Sequence, residues 1–493
     1  MPKSLLPIAT AFLALAISHR AEADPAPDAK YNLTGFATLG PGTTGGGVIP
    51  ATDPAYARVS TPLAFATALA SANKNPGAIK VIEIMNDLDL GWNEIGPAVQ
   101  TLTETPFRPH HPPKLHPRLL ITGVSLIDIK PKSGLTIFSA NGATIRHATF
   151  DIKKTSNIII RNLKFDELWE WDETSKGKYD KNDWDFIDLG NGGETSNVWI
   201  DHCTFTKSYD GIVDMKSDVS NITFSWCKYV GDDGATNPDS FVRQQIKALE
   251  ANPTAYPFYH FLRANGFSVE DIVTILQAHD KTHLAGAKNL DPANAAISIT
   301  FHHQWFQGVW DRCTPRLRAG NVHDYNIYVD DSRVLAAKRL RDIRVAAMTP
   351  DNQARLEKTY SFDPPVNGAI STEGGALLVE KSVYIDCLWP LRNNQTEGDK
   401  PDFTGKIMAL DTRCIFHPPT GTATSVRGNS TDPGNPLGPR QAPVIPFSWN
   451  LPGNKLPYAY TMDDPDQLLP LLQAGAGAGA LTWSSDNWLK TAY

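Results

Sequence analysis

Two acid-rich phrases and one cation-rich region carry the side chains best suited to chemistry. "YDKNDWDFIDL" supplies Asp183 and Asp185, and "KSYDGIVDMK" supplies Asp210 and Asp214. Further on, "HDKTHLAG" carries Lys281, and "WDRCTPRLRAG" carries Arg312, Arg316 and Arg318. Carboxylate oxygens are what a hard cation such as calcium takes, about six to eight at a time. Asp183 and Asp185 are two apart and share a side of an extended backbone. Asp210 and Asp214 also share parity, but a straight strand would hold them roughly 13 Å apart. One ion can reach both only if the chain bends, and Gly211 is the natural place. On residue types alone two readings stand, a hard-cation site or solvent-facing aspartates on turns. The lysine and arginines are equally open: cations for a carboxylated ligand, or solvated surface charges and structural ion pairs.

The elements that must position these residues announce themselves as a repeat. "NIIIRNLKF" from Asn157, "NVWIDHCTF" from Asn197, "NITFSWCKY" from Asn221 and "SITFHHQWF" from Ser298 share one pattern. Each opens on a small polar residue, runs through β-branched or aromatic residues, and ends on an aromatic at the ninth position. The second and third begin about 24 residues apart, within the period range of solenoids. One such strand cannot bury its apolar face alone; stacking rung on rung builds a continuous core. The expected fold is therefore all-β, a single right-handed parallel β-helix, with a β-sandwich as the competing reading. "NVHDYNIYV" from Asn321 and "AISTEGGALLVEKSVYI" from Ala369 read as later rungs. Helical periodicity breaks the repeat at about 230–278 and 331–360, which the solenoid places as loop insertions, at least one of them expected to line a cleft. "PFRPHHPPKLHPR" from Pro106 reads as an irregular excursion. "DDPDQLLPLLQAGAGAGA" reads as a short helix closing the open end of the stack.

The bulk properties narrow the class. A net charge of −7 over 493 residues gives no general affinity for nucleic acid or an anionic membrane. The start, "MPKSLLPIATAFLALAISHRAEA", has Lys3, an apolar run and a small-x-small end, so residues 1–23 read as a cleavable secretory signal. Residues 24–493 are then one domain, secreted and extracellular. Five cysteines are too few for a disulfide-built scaffold, and no CxxC pair suggests zinc. Cys203 and Cys227 fall at equivalent repeat positions, within reach of a bridge or stacked as buried thiols, the latter favoured; Cys387 and Cys414 form a second candidate pair.

In order along the chain, "GFATLGPGTTGGG", "KSGLTIFSANGATI", "NIIIRNLKF", "WIDHCTF", "DGIVDMKSDVSNITFSW", "HDKTHLAG", "TPRLRAGNVHDYNIY" and "GGALLVEKSVY" resemble the extracellular pectate lyases of the parallel β-helix type. The resemblance implies calcium-dependent β-elimination on de-esterified homogalacturonan, a polygalacturonate. It implies that Asp183, Asp185, Asp210 and Asp214 bind Ca2+, that Lys281 and Arg318 hold substrate carboxylates, and that Arg312 abstracts the proton. The chain departs from the pattern here. The family places one residue between that arginine and the proline, whereas Cys313 and Thr314 both stand between Arg312 and Pro315. A local bulge can bring Arg312 into place, or Arg316 can share the role. Asp201 falls in phase with Arg161, Ser225 and His302 and reads as structural, partnered by His202. Two other functions compete: a pectin lyase acting on methyl-esterified substrate, and a catalytically weak carbohydrate-binding β-helix. The partner is a pectic polysaccharide and the protein a monomer.

Overall fold

The computed structural model describes residues 29–110, 119–121, 123–173, 184–208, 210–360, 362–394, 400–441 and 443–480. Asp183 and the proposed secretory signal lie outside them. The described chain winds through three faces of stacked strands, almost all paired in parallel. On the first face Thr155–Arg161, Thr195–Asp201 and Val219–Ser225 pair in register, so that Arg161, Asp201, Ser225 and His302 align. A tight turn leads to the second face, where Lys164–Leu168, Thr204–Ser208 and Lys228–Val230 stack. Longer excursions then lead to the third face.

The repeat has a direct physical basis. Asn157, Asn197 and Asn221, the opening residues of three of the phrases, have φ of 63°, 52° and 57°. Asparagine is among the few side chains that tolerate this left-handed conformation. The ninth-position aromatics form a ladder through the core: Phe165 on Phe205 at 5.1 Å, Phe205 on Tyr229 at 5.3 Å, Tyr229 on Phe306 at 4.3 Å, all near parallel. Asp201 is buried between Arg161, 2.6 Å from its Oδ2, and His202 Nδ1 at 2.7 Å, while Ser225 Oγ donates to its Oδ1 at 2.6 Å. Burial pushes this carboxyl up, but His202 and Arg161 outweigh it and hold it below the usual range. Asp201 thus knits rungs together.

The third face carries the site. Its strands are β1 (Ser125–Ile129), β2 (Ala148–Ile152), β3 (Ile187–Leu189), β4 (Val213–Met215), β5 (His283–Ala285), β6 (Arg316–Arg318), β7 (Asn367–Thr372) and β8 (Trp389–Arg392). Ile127, Phe150, Ile187 and Val213 point into the core and are fully buried. Their neighbours Asp128, Asp151, Asp188 and Asp214 point the other way and stand in register.

Helices complete the fold, so it is β-rich rather than all-β. Pro62–Lys74 covers the first rungs, with Phe65 packed on Phe107 and Phe150. The insertion at about 230–278 contains Phe241–Glu250, Pro257–Ala264 and Val269–Leu276; the later one contains Ser332–Ala346 and Pro350–Arg355. They pack on each other through Arg344 on Asp271 and Phe258 on Tyr360, and on the solenoid through Trp171. No helix among the described residues is long and apolar enough to cross a membrane.

Three expectations need correcting. All five cysteines are buried free thiols: Cys203 and Cys227 follow the favoured reading, whereas the candidate pair Cys387 and Cys414 is not bridged. "PFRPHHPPKLHPR" is not irregular throughout, because Phe107–Pro109 pairs antiparallel with β1; residues 111–118 lie outside the described set. The C-terminal helix Leu468–Gly475 does not close the end of the stack. Its Leu468 and Leu472 pack along the side against Trp226, Trp305 and Tyr328, and Gly477 N donates to Trp226 O at 2.8 Å. A side chain at Gly477 would clash, its Cβ 2.6 Å from Thr204 Oγ1. Thr424–Gly428, antiparallel on Thr412–Phe416, extends the last rung instead.

Phe205→Ala, in mid-ladder, should cost about 3–5 kcal/mol by urea unfolding. A loss below about 1 kcal/mol would show that the aromatic column contributes little.

Candidate active site

On β3 and β4 the outward aspartates meet a third. One carboxylate oxygen from each of Asp185, Asp188 and Asp214 lies within 4.8 Å of the others. Asp185 reaches them because the chain enters β3 beside Gly211, where a Cβ would stand only 2.1 Å from Asp185 Oδ1. The glycine anticipated as a bend is required by close approach as well. Asp210 lies outside this trio: Lys281 Nζ pairs with its Oδ1, while its charge still acts on Asp185.

Among the described residues the charges do not balance locally. Lower on the face, Asp128 and Asp151 are served by Arg108, Lys130 and Lys153. Asp188 and Asp214 share Lys216, at 3.3 and 2.7 Å. Burial, followed by repulsion from Asp214, Asp188 and Asp210, pushes the Asp185 carboxyl well above the carboxylate range. Burial also raises Asp188 to about 6, against the pull of Lys216. A cluster of oxygens that resists ionisation is the donor set a hard divalent cation would stabilise.

Asp188 was missed because it is three residues from Asp185, the wrong parity for one straight strand. A signal did exist: "LIDI", "TFDI", "FIDL" and "IVDM" place an aspartate between apolar residues on four successive rungs.

Along the same outward column the sign changes. Asp214 aligns with Leu284, Leu284 with Arg316, Arg316 with Ile370, and Ile370 with Arg392. Arg316 and Arg318 both face out, flanking the buried Leu317. Arg318 Nε donates to Asn289 Oδ1 at 2.8 Å, its Nη1 to Gly286 O, and Glu373 is 3.7 Å away. Burial, then Arg318 and Arg312, depress the Arg316 guanidinium to about 9. The extra residue before Pro315 is absorbed in the turn: Arg312 is left-handed at φ 60°, and Cys313 and Thr314 are both fully buried. Arg312 Nε lies 3.5 Å from Asp311 Oδ2. Lys281 ends a short strand, His279–Lys281, paired with Val309–Asp311, so the first insertion delivers it beside the arginine turn. The face thus gathers Asp185, Asp188, Asp214, Lys216, Arg316 and Arg318, with Asp210, Lys281 and Arg312 at its edge.

The chain resembles known proteins over these rungs. The family model described as pectate lyase matches residues 125–235 and 269–374, the rungs that carry these side chains. Pectate lyase B of Paenibacillus amylolyticus is 46% identical over 409 residues, covering 81% of this chain and 99% of that protein. A pectate trisaccharide-lyase of Thermotoga maritima is 31% identical over 202 residues, 40% of each chain. Among solved structures, a pectate lyase from Paenibacillus sp. 0602 superposes with a TM-score of 0.84 at 49% identity, over 94% of this chain and 99% of that one. A pectate lyase from Bacillus sp. N165, solved in complex with trigalacturonate, shares the fold at a TM-score of 0.51 and 18% identity, over 91% and 99% of the two chains. The fold and the similarity define a polysaccharide lyase. The chain belongs to the pectate lyase family.

The raised acids make a signed stability prediction. Without a cation, Asp188 binds its proton more tightly folded than unfolded, so its contribution is full below about pH 4 and is lost as pH rises through about 6. In chelator, Asp188→Asn should therefore gain thermal midpoint relative to the parent at neutral pH and not at pH ~4. Equal offsets at both pH values, read by differential scanning fluorimetry, would refute the raised pKa.

Proposed function

We propose that this protein cleaves de-esterified homogalacturonan by calcium-dependent β-elimination, giving 4,5-unsaturated oligogalacturonides. The observation that carries the proposal is the carboxylate trio and the arginine strand standing on one face, in one register. Asp185, Asp188 and Asp214 would hold calcium, with Asp210 close by; Asp183 belongs to the same proposal from the family pattern alone. Bound calcium would neutralise the substrate carboxylate and so acidify the adjacent C5 proton. Lys281 and Arg318 would bind uronate carboxylates, and the positive field they share with Arg316 and Arg312 would stabilise the enolate-like charge that develops. The C5 proton leaves to a base, its bonding pair forms the C4–C5 double bond, and the glycosidic oxygen departs with the C4–O pair and takes up a proton from water.

Two arginines compete for the base. Arg312 is the arginine the family pattern points to, and its Nε lies 3.5 Å from Asp311 Oδ2. Arg316 is a candidate proton acceptor on electrostatic grounds, since burial and two cations weaken its hold on the proton. The apolar run within residues 1–23 supports export to an extracellular polymer. A methyl-esterified substrate has no free carboxylate for these cations, which favours pectate over pectin.

Absorbance from unsaturated products should rise on polygalacturonate with calcium and stop with a chelator. Survival of activity in chelator, with preference for methylated pectin, would replace the proposal by a pectin lyase. Reducing ends without absorbance would mean hydrolysis.

The base is identified by comparing Arg316→Lys with Arg312→Lys. Loss of the base should lower kcat by about 10²–10⁴ with little change in KM. If neither variant loses kcat, proton abstraction by this arginine group is wrong.

A further inference from the structure

Two rungs beyond Arg316, the outward column ends in a second cationic feature. Arg392 on β8 aligns with Ile370, which aligns with Arg316. Its Nη1 donates to Asn367 Oδ1 at 3.2 Å, and Asn367 Nδ2 donates to Asp311 at 2.8 Å. One amide therefore ties Arg392 to the carboxylate beside Arg312. A later segment folds back on β8: Arg440 N donates to Leu391 O at 3.0 Å, and Gln441 N to Asn393 Oδ1 at 3.0 Å. The Arg440 guanidinium lies 3.6 Å from the centroid of the Trp389 ring, and Trp389 is 37% exposed.

Neither guanidinium is matched by a contacting carboxylate among the described residues. Burial lowers the Arg392 pKa, Arg440 lowers it further, and Asp311 opposes both. Arg440 stands near enough to act on Arg392, and two such cations with no contacting carboxylate among the described residues are costly unless an anion joins them. The planar arginine fork suits a carboxylate, and the exposed part of the indole not covered by Arg440 offers an apolar surface to a sugar ring. Two rungs place this feature roughly 10 Å from Arg316, within reach of one polymer chain.

We propose that Arg392, Arg440 and Trp389 form a distal subsite that takes a uronate carboxylate of the bound polysaccharide, away from the bond being cleaved. The proposal rests on the polygalacturonate reading above. It predicts that the protein favours long chains over short ones through this end of the face.

The test compares Arg440→Ala, Arg440→Lys and Arg392→Gln with the parent on polygalacturonate and on trigalacturonate. Polymer binding by titration calorimetry is measured alongside, so that the subsite has a readout independent of turnover. KM on the polymer should rise about five- to tenfold in Arg440→Ala and Arg392→Gln, with kcat held and partial rescue in Arg440→Lys. The advantage of polymer over trimer should shrink, and added salt should narrow the gap between variant and parent. Unchanged polymer KM and affinity in folded Arg440→Ala, with an active parent, overturns the subsite alone. A parent that neither binds nor cleaves polygalacturonate overturns the polygalacturonate reading with it. Should Arg392→Gln fail to fold, the exposed Arg440 still decides the matter.

Discussion

Parallel stacking of like upon like is the constraint on which the rest of this structure depends. Each rung places its residues roughly 4.8 Å from their counterparts above and below, so any residue type repeated in phase becomes a column. Where the column is apolar the outcome is a core, as in the ladder from Phe165 to Phe306. Where it is acidic, charges of one sign are held at a spacing they would not choose. The chain resolves this differently along the face. Arg108, Lys130 and Lys153 answer Asp128 and Asp151, whereas among the described residues Lys216 is the one cation paired with Asp188 and Asp214, with Asp185 added. The shortfall of positive charge is what makes the upper part of the column suited to a cation.

The same geometry turns the face into a gradient. Within a few rungs the outward column passes from Asp188 and Asp214 through Leu284 to Arg316 and, past Ile370, to Arg392. A polyanion laid along it would meet cations at one end and carboxylates at the other. The acidic end suits such a ligand only when a divalent ion stands between the two sets of carboxylates. Proton abstraction beside a carboxylate needs both partners, a charge-neutralising cluster and a base that gives up its own proton readily. Burial acts at both ends of the column, raising Asp185 and lowering Arg316.

Much of this was legible in the sequence because a solenoid writes its structure locally. The nine-residue phrases marked their rungs, and the phase relation of Arg161, Asp201, Ser225 and His302 is the register observed. Residues inside the repeated phrases were therefore placed well, Asp201 among them. What the sequence could not convey was contact made outside the repeat. Asp188 joins Asp185 because the chain bends before β3, which no parity rule anticipates. Asp210 leaves the trio for Lys281, a partner delivered by the first helical insertion. The C-terminal helix settles against Trp226, Trp305 and Tyr328, three aromatics far apart in the chain and adjacent only when stacked.

The arginine turn shows how this architecture tolerates a change in length next to its chemistry. An extra residue inside a strand would reverse every side chain beyond it, moving Arg316 and Arg318 into the core and Leu317 out. In the turn the chain needs only a left-handed residue and room for two small side chains. Arg312 adopts the first, and Cys313 and Thr314 fill the second. His283 Nδ1, 2.8 Å from Cys313 O, ties the bulge to the neighbouring rung. Pro315 then returns the chain to the sheet, with Ile370 N donating to its carbonyl at 3.0 Å, and Arg316 resumes register with Leu284 and Ile370. The two residues between Arg312 and Pro315 are thus held within the turn, and the two strand-borne arginines stay in the register of the column.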